Sequence, residues 1–189
     1  MNLPNRLTLL RVILVPIFMV FELLPVTNYH YIHYLIALVI FIAASLTDLF
    51  DGKIARRNNL ITDFGKLMDP LADKVLVIAA LVGFVQLGFG DAWVVVIIIA
   101  RELLVTSLRL MAASKGSVEA ANIWGKMKTV SQMTAVIIVL FINGLPLPSD
   151  LYNVRFVTGY VFLWIAAAFT VMSGIQYVFA YRGYIDTKK

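Results

Sequence analysis

Residues 48–74 read DLFDGKIARRNNLITDFGKLMDPLADK, and the fold turns on how this stretch is understood. Asp48, Asp51, Asp69 and Asp73 stand at or beside the ends of apolar runs long enough to cross a bilayer. A charged side chain at the centre of a membrane helix costs about 2.5–3.5 kcal/mol on insertion scales, so four bare carboxylates held deep would cost roughly 10 kcal/mol before their mutual repulsion. Bound divalent cations near the membrane surface offset that cost most directly.

The rest of the chain agrees with a membrane setting. Of 189 residues 61% are hydrophobic and only 14% charged, and the mean hydropathy is +0.88. That excludes a soluble globular domain and predicts a polytopic membrane protein. At about 20 residues per span, the length accommodates about six spans with short loops, as one membrane domain over 1–189. The absence of cysteine excludes disulfides and thiolate metal sites. The N-terminal apolar run lacks a small-residue cleavage site and is read as a retained first helix. Gly and Pro punctuation places helices at about 5–25, 31–57, 65–88, 92–114, 119–143 and 150–181. The expected class is an all-α integral membrane protein of six transmembrane helices, because backbone in lipid must satisfy its own hydrogen bonds.

Charge gives the orientation. Arg6 and Arg11, then Lys53, Arg56, Arg57, Lys66 and Lys74, then Arg109, Lys115, Lys126 and Lys128, and finally Arg182, Lys188 and Lys189 gather on one side. The opposite loops carry only Arg155, with Tyr29, Tyr31, Tyr34, Trp93 and Tyr152 as interfacial anchors. The positive-inside rule then puts both termini and the Asp-rich connection in the cytoplasm of a bacterial-type cell membrane. The net charge of +5 suits anionic headgroups and follows topology, so it does not point to nucleic acid. His30 and His33 fall on the far side and are read as interfacial residues, not ligands. Gly83, Gly125 and Gly174 are positions where helices can approach closely.

Asp48 and Asp51, three apart, share a helix face that Gly52 and Ala55 continue without bulk, and Arg56 follows at its cytoplasmic end. Asp69 and Asp73, four apart, share a face of the next helix, with Gly65 one turn earlier. Pro70 is expected to start or kink that helix. Two helices joined by a short connection are neighbours, so the carboxylate pairs can converge. Hard oxygen ligands select Mg2+, Ca2+ or Mn2+, and four carboxylates suit two ions about 3.5–4 Å apart acting at phosphorus. The plainer alternative is an interfacial ion network of these acids with Lys53, Arg56, Lys66 and Lys74, which leaves the small residues on the same faces unexplained.

The pattern D-x2-D-G-x2-A-R-x8-G-x3-D-x3-D, running from Asp48 to Asp73, resembles the signature of the CDP-alcohol phosphotransferase family at every position. The resemblance implies a six-helix membrane enzyme that moves a phosphatidyl-type group from a CDP-linked donor to an alcohol and releases CMP. It implies that Asp48, Asp51, Asp69 and Asp73 hold two divalent ions (Mg2+ or Mn2+) and that Asp73 is the general base. It implies that Gly52, Ala55, Arg56 and Gly65 line the cytidine and phosphate pocket. Asn5 and Thr8, on a polar stripe with Arg11, approach the donor, or else serve as a cap with Arg11 snorkelling to the interface. Family members tend to be homodimers.

The acceptor is read elsewhere. Arg101 and Glu102 are adjacent on the fourth helix, do not face each other there, and each needs another partner. Thr106, Arg109, Lys126 and Arg182 lie near cytoplasmic helix ends, where an anionic acceptor needs cations. NLPNRLTLLRVILVP at the start and RELLVTSLR in the middle resemble the branch of the family that takes CDP-diacylglycerol as donor and sn-glycerol 3-phosphate as acceptor. Serine or inositol phosphate remains an alternative acceptor. A divalent-cation transporter is the reading from another class, and it expects acids spread along the membrane normal. A structural membrane protein with an ionic girdle is a third.

Overall fold

The computed structural model describes residues 3–24, 31–57, 63–114, 123–148 and 151–182, which form helices joined by short turns; side chains are described for all of these except 3–7, 48–57, 63–67, 69, 70, 73 and 152. The helices are α1 (Leu3–Leu23), α2 (Ile32–Arg57), α3 (Asp63–Gln86), α4 (Ala92–Ser114), α5 (Ile123–Asn143) and α6 (Tyr152–Tyr181). They fall where the apolar runs and their Gly/Pro breaks predict. α3 begins at Asp63 and runs through Pro70, which therefore does not start the helix. α1 likewise runs through Pro16.

α1 packs on α2 and α3, while α6 packs on α4 and α5. Contacts of α2 with α5, and of α3 with α2, α4 and α5, join the two groups. The core between them is built from Phe18, Phe41, Leu76, Phe84, Ile98, Val136, Leu140 and Leu163, interleaved with small residues such as Ala37, Ala44, Ala80, Ala166 and Ala167. Phe18 and Phe41 meet with ring centroids 5.9 Å apart. A second, smaller cluster of Val105, Ala112, Tyr177 and Tyr181 fastens α4 to α6. Alternating large and small side chains let helices approach without relying on water exclusion, which is absent between helices in lipid.

Close approach is most evident at Gly83, where a side chain would collide with the carboxyl group of Glu22 on α1. That carboxyl group is fully buried and has no hydrogen-bond partner. The α3–α4 connection turns at Gly88, whose φ of 77° lies in the left-handed region that favours glycine. The amides of Phe89 and Gly90 both return to the Phe84 carbonyl, at 2.8 and 3.1 Å. Asp91 then caps α4: one carboxylate oxygen accepts the Trp93 amide at 3.0 Å, the other the Tyr160 hydroxyl at 2.7 Å. Beyond α5, Arg155 donates to the carbonyls of Leu145 and Leu147 at 2.8 and 3.1 Å.

His33, expected near the far membrane interface, also has a packing role. It is buried, with Nδ1 2.9 Å from the Phe21 carbonyl, and so ties the start of α2 to the end of α1.

The outer surface is apolar. Leu110, Val39, Phe179, Ile123, Val130 and Leu103 are all more than three-fifths exposed. Apolar exposure on this scale is foreign to soluble monomers. Among the described residues two segments, Ile123–Asn143 and Asn153–Tyr181, are long and apolar enough to cross a membrane by length and composition.

Candidate active site

The signature residues fall on two helices that pack together. Asp48, Asp51, Gly52, Ala55 and Arg56 belong to the C-terminal part of α2, and Gly65, Asp69 and Asp73 to the N-terminal part of α3. Their side chains, and that of Asn5 on α1, lie outside the described residues. Described side chains resume at Lys74, directly after Asp73, and Lys74 opens a cavity.

This cavity has a volume of about 530 Å3 and is enclosed by α3, α4 and α5. Helical periodicity assembles it. Lys74, Val77 and Ile78 share one face of α3; Ile98, Glu102 and Arg109 follow one face of α4; Gly125, Lys128, Thr129 and Gln132 follow one face of α5. Among the described residues five cationic side chains (Lys74, Arg101, Arg109, Lys126 and Lys128) and one carboxylate, Glu102, line it, a formal excess of four positive charges.

Glu102 organises these cations. It is 8% exposed. Its oxygens lie 2.5 Å from Lys128 Nζ, 3.1 Å from Arg101 and 3.7 Å from Lys74 Nζ. Lys74 also donates to Thr106 Oγ1 at 2.6 Å. Arg101 donates from one terminal nitrogen to Glu102 and from the other to Ser173 on α6, 2.6 Å away. Its Nε is buried with no acceptor. Gly174 makes room for the Arg101 stem: a Cβ there would lie 3.1 Å from Arg101 Cγ. Arg109 donates to the Tyr177 hydroxyl. Gln132 donates to Thr170 at 2.9 Å, and Thr170 to the Ala166 carbonyl at 2.7 Å, so the floor beneath the cations is a satisfied polar network.

The expected acceptor residues are therefore not all in one place. Arg109 and Lys126 line the cavity. Thr106 reaches it through Lys74. Arg182 is exposed at the end of α6 and is not among the lining residues. Thr8 and Arg11 are both buried, 1% exposed, so Arg11 does not snorkel outward. Arg101 and Glu102 correct a sequence expectation. Neighbouring positions diverge around a helix, yet the long Arg101 side chain folds back to meet Glu102, in addition to the separate partners each requires. Lys128, Ser173 and Tyr177 carried no sequence signal beyond a general basic or aromatic bias. They matter through contacts that only the fold creates.

The chemistry of the cavity lining suits an anion. Arginine forks match a phosphate and lysines add mobile point charge, while the interior setting weakens screening. The signature acids have the opposite chemistry. Asp48, Asp51, Asp69 and Asp73 are an all-oxygen donor set on two packed helices in a chain without cysteine, which fits hard divalent cations and not soft ones.

Residues 1–172 match the CDP-alcohol phosphatidyltransferase family. The chain belongs to this family. The family is membrane-embedded, in keeping with the apolar surface and the two long apolar helices. Among its relatives is a protein of Bacillus subtilis (strain 168) named CDP-diacylglycerol–glycerol-3-phosphate 3-phosphatidyltransferase, 46% identical over 184 residues that cover 93% of each chain. Proteins of the same name occur in Rickettsia typhi (strain ATCC VR-144 / Wilmington), at 40% identity over 97% of this chain and 98% of the relative. They occur also in Pseudomonas fluorescens, at 37% identity over 99% of this chain and 93% of the relative.

Proposed function

We propose that this chain transfers the phosphatidyl group of CDP-diacylglycerol to sn-glycerol 3-phosphate, giving phosphatidylglycerol phosphate and CMP. The observation that carries the reading is the cation-lined cavity beginning at Lys74, next in sequence to Asp73. A lipid-linked donor at the acids and a phosphorylated acceptor in the cavity would meet at that junction. The names of relatives at 37–46% identity support the same substrates.

Asp48, Asp51, Asp69 and Asp73 would hold two divalent ions, Mg2+ or Mn2+. Such ions, when bound, neutralise charge on the donor pyrophosphate and on the departing CMP. The remaining work falls to the chain. Gly52, Ala55 and Gly65 leave room for cytidine, and Arg56 meets a donor phosphate. Asn5 and Thr8 approach the donor from α1. Arg109 and Lys126, with Thr106 acting through Lys74 and Arg182 contributing from the end of α6, hold the acceptor phosphate. That hold directs the first-carbon hydroxyl of glycerol phosphate toward the phosphorus bearing diacylglycerol. The new phosphorus–oxygen bond forms as the bond to CMP breaks, CMP keeps the electron pair, and Asp73 takes the hydroxyl proton. Positioning accounts for much of the rate in such a step, because two bound reactants behave as one.

The reading also places 189 residues as a single domain of six spans with both termini and the site in the cytoplasm of a bacterial-type membrane, working as a homodimer. Its test is CMP release from CDP-diacylglycerol and glycerol phosphate with Mg2+ in detergent micelles. Asp69→Asn is expected to lower the rate about 100-fold or more. An unchanged rate overturns the metal assignment. Preference for inositol phosphate or serine redirects the acceptor, and metal flux into liposomes without CDP-lipid dependence favours a transporter instead.

A further inference from the structure

Two guanidinium groups of α4 converge on one aromatic ring of α6. Arg109 lies 4.8 Å from the centroid of Tyr177, and Arg101 lies 5.3 Å from it. Arg109 also donates to the Tyr177 hydroxyl. The ring is itself fixed. Tyr177 is 4% exposed and lies nearly parallel to Tyr181, with centroids 6.1 Å apart and planes within 8°. Across the interface Gly125 of α5 leaves space for the hydroxyl, since a Cβ there would stand 3.2 Å from it. Tyr177 does not line the cavity, whereas both arginines do.

Two like charges near one another repel, and flexible arginines would drift apart or out to solvent. An electron-rich ring attracts both cations, and a hydroxyl acceptor fixes the rotation of one of them. An anchored fork has less freedom to lose when a phosphate arrives, which is how preorganisation raises affinity. We propose that Tyr177 is a positioning residue: it holds Arg109, and beside it Arg101, so that the cavity selects a phosphate-bearing acceptor. The proposal rests on the acceptor reading of this cavity and goes beyond it by assigning selectivity to a residue outside the cavity wall.

Initial rates of CMP release, measured against each substrate in turn, test it on the purified full-length protein in micelles. Tyr177→Phe keeps the ring and removes the acceptor oxygen. It is expected to raise KM for glycerol phosphate about ten-fold, with KM for CDP-diacylglycerol unchanged and kcat within about two-fold. In a double-mutant cycle with Arg109→Ala, Tyr177→Phe should add nothing further, because its effect passes through Arg109. Arg109→Lys keeps the charge but loses the planar fork, so it should raise acceptor KM to a similar extent. This variant decides the matter should Tyr177→Phe fail to fold. Equal changes in both KM values, additive behaviour in the cycle, or a wild-type acceptor KM in Tyr177→Phe or Arg109→Lys would overturn the proposal. If Arg109→Ala alone leaves acceptor KM unchanged, the acceptor reading of the cavity falls and the role of Tyr177 falls with it.

Discussion

Changing Glu102 to Gln removes a charge while keeping the shape of the side chain. Lys128, Arg101 and Lys74 would then face one another across the cavity without the carboxylate that now lies 2.5–3.7 Å from each. Breaking a buried ion pair on one side costs about 3–5 kcal/mol. For a chain of this size Glu102→Gln should lower the midpoint of thermal unfolding by about 6–20 °C, measured in detergent. A midpoint equal to wild type would mean that water, not Glu102, compensates these cations. Single residues are also where sequence reading reached its limit. The acids of the signature are legible because their spacing is local. Tyr177 is not, since it meets Arg109 across 68 residues of chain. Arg101 and Glu102 were visible but misjudged, because positions on a helix wheel do not describe a side chain long enough to fold back.

At the level of elements the sequence was nearly sufficient. Apolar runs ended by Gly and Pro locate all six helices, because a helix in lipid has few ways to stop. Pro70 does not start its helix, since α3 runs from Asp63 through it. The caps are subtler. Asp91 starts α4 and joins it to α6, and hydrogen bonds, from the Trp93 amide first and the Tyr160 hydroxyl second, hold its carboxyl below the usual 3.8. A depressed folded pKa adds stability that is complete above the unfolded value and lost as pH falls through the folded one. The advantage of wild type over Asp91→Asn should therefore be constant near neutrality and shrink below about pH 3.8. Unfolding midpoints of the two proteins across pH 3–7 check this; a gap that widens in acid would contradict the cap.

For the whole molecule, the open question is orientation across the bilayer. Charge asymmetry between the two sets of loops argues for cytoplasmic termini. The chain has no cysteine, so each introduced one reports alone. With a membrane-impermeant thiol reagent on intact cells, Asn28→Cys should label and Lys188→Cys should label only after lysis. The reverse pattern would invert the topology. α6, at 30 residues, spans about 45 Å, longer than the roughly 30 Å of a hydrocarbon core. Its surplus length lets one end of the helix extend beyond the hydrocarbon core.

The lopsided charge of the cavity has a thermodynamic side as well. Among the described residues five cations line the cavity and Glu102 pairs with three of them, so repulsion remains in the folded state for an entering dianion to relieve. Because the unfolded chain offers no such site, occupancy favours the native form in proportion to RT ln(1 + [L]/Kd). Ordinary inorganic phosphate is then both a chaperone and a competitor. Inorganic phosphate that binds this cavity is therefore expected to raise the unfolding midpoint and to slow turnover together.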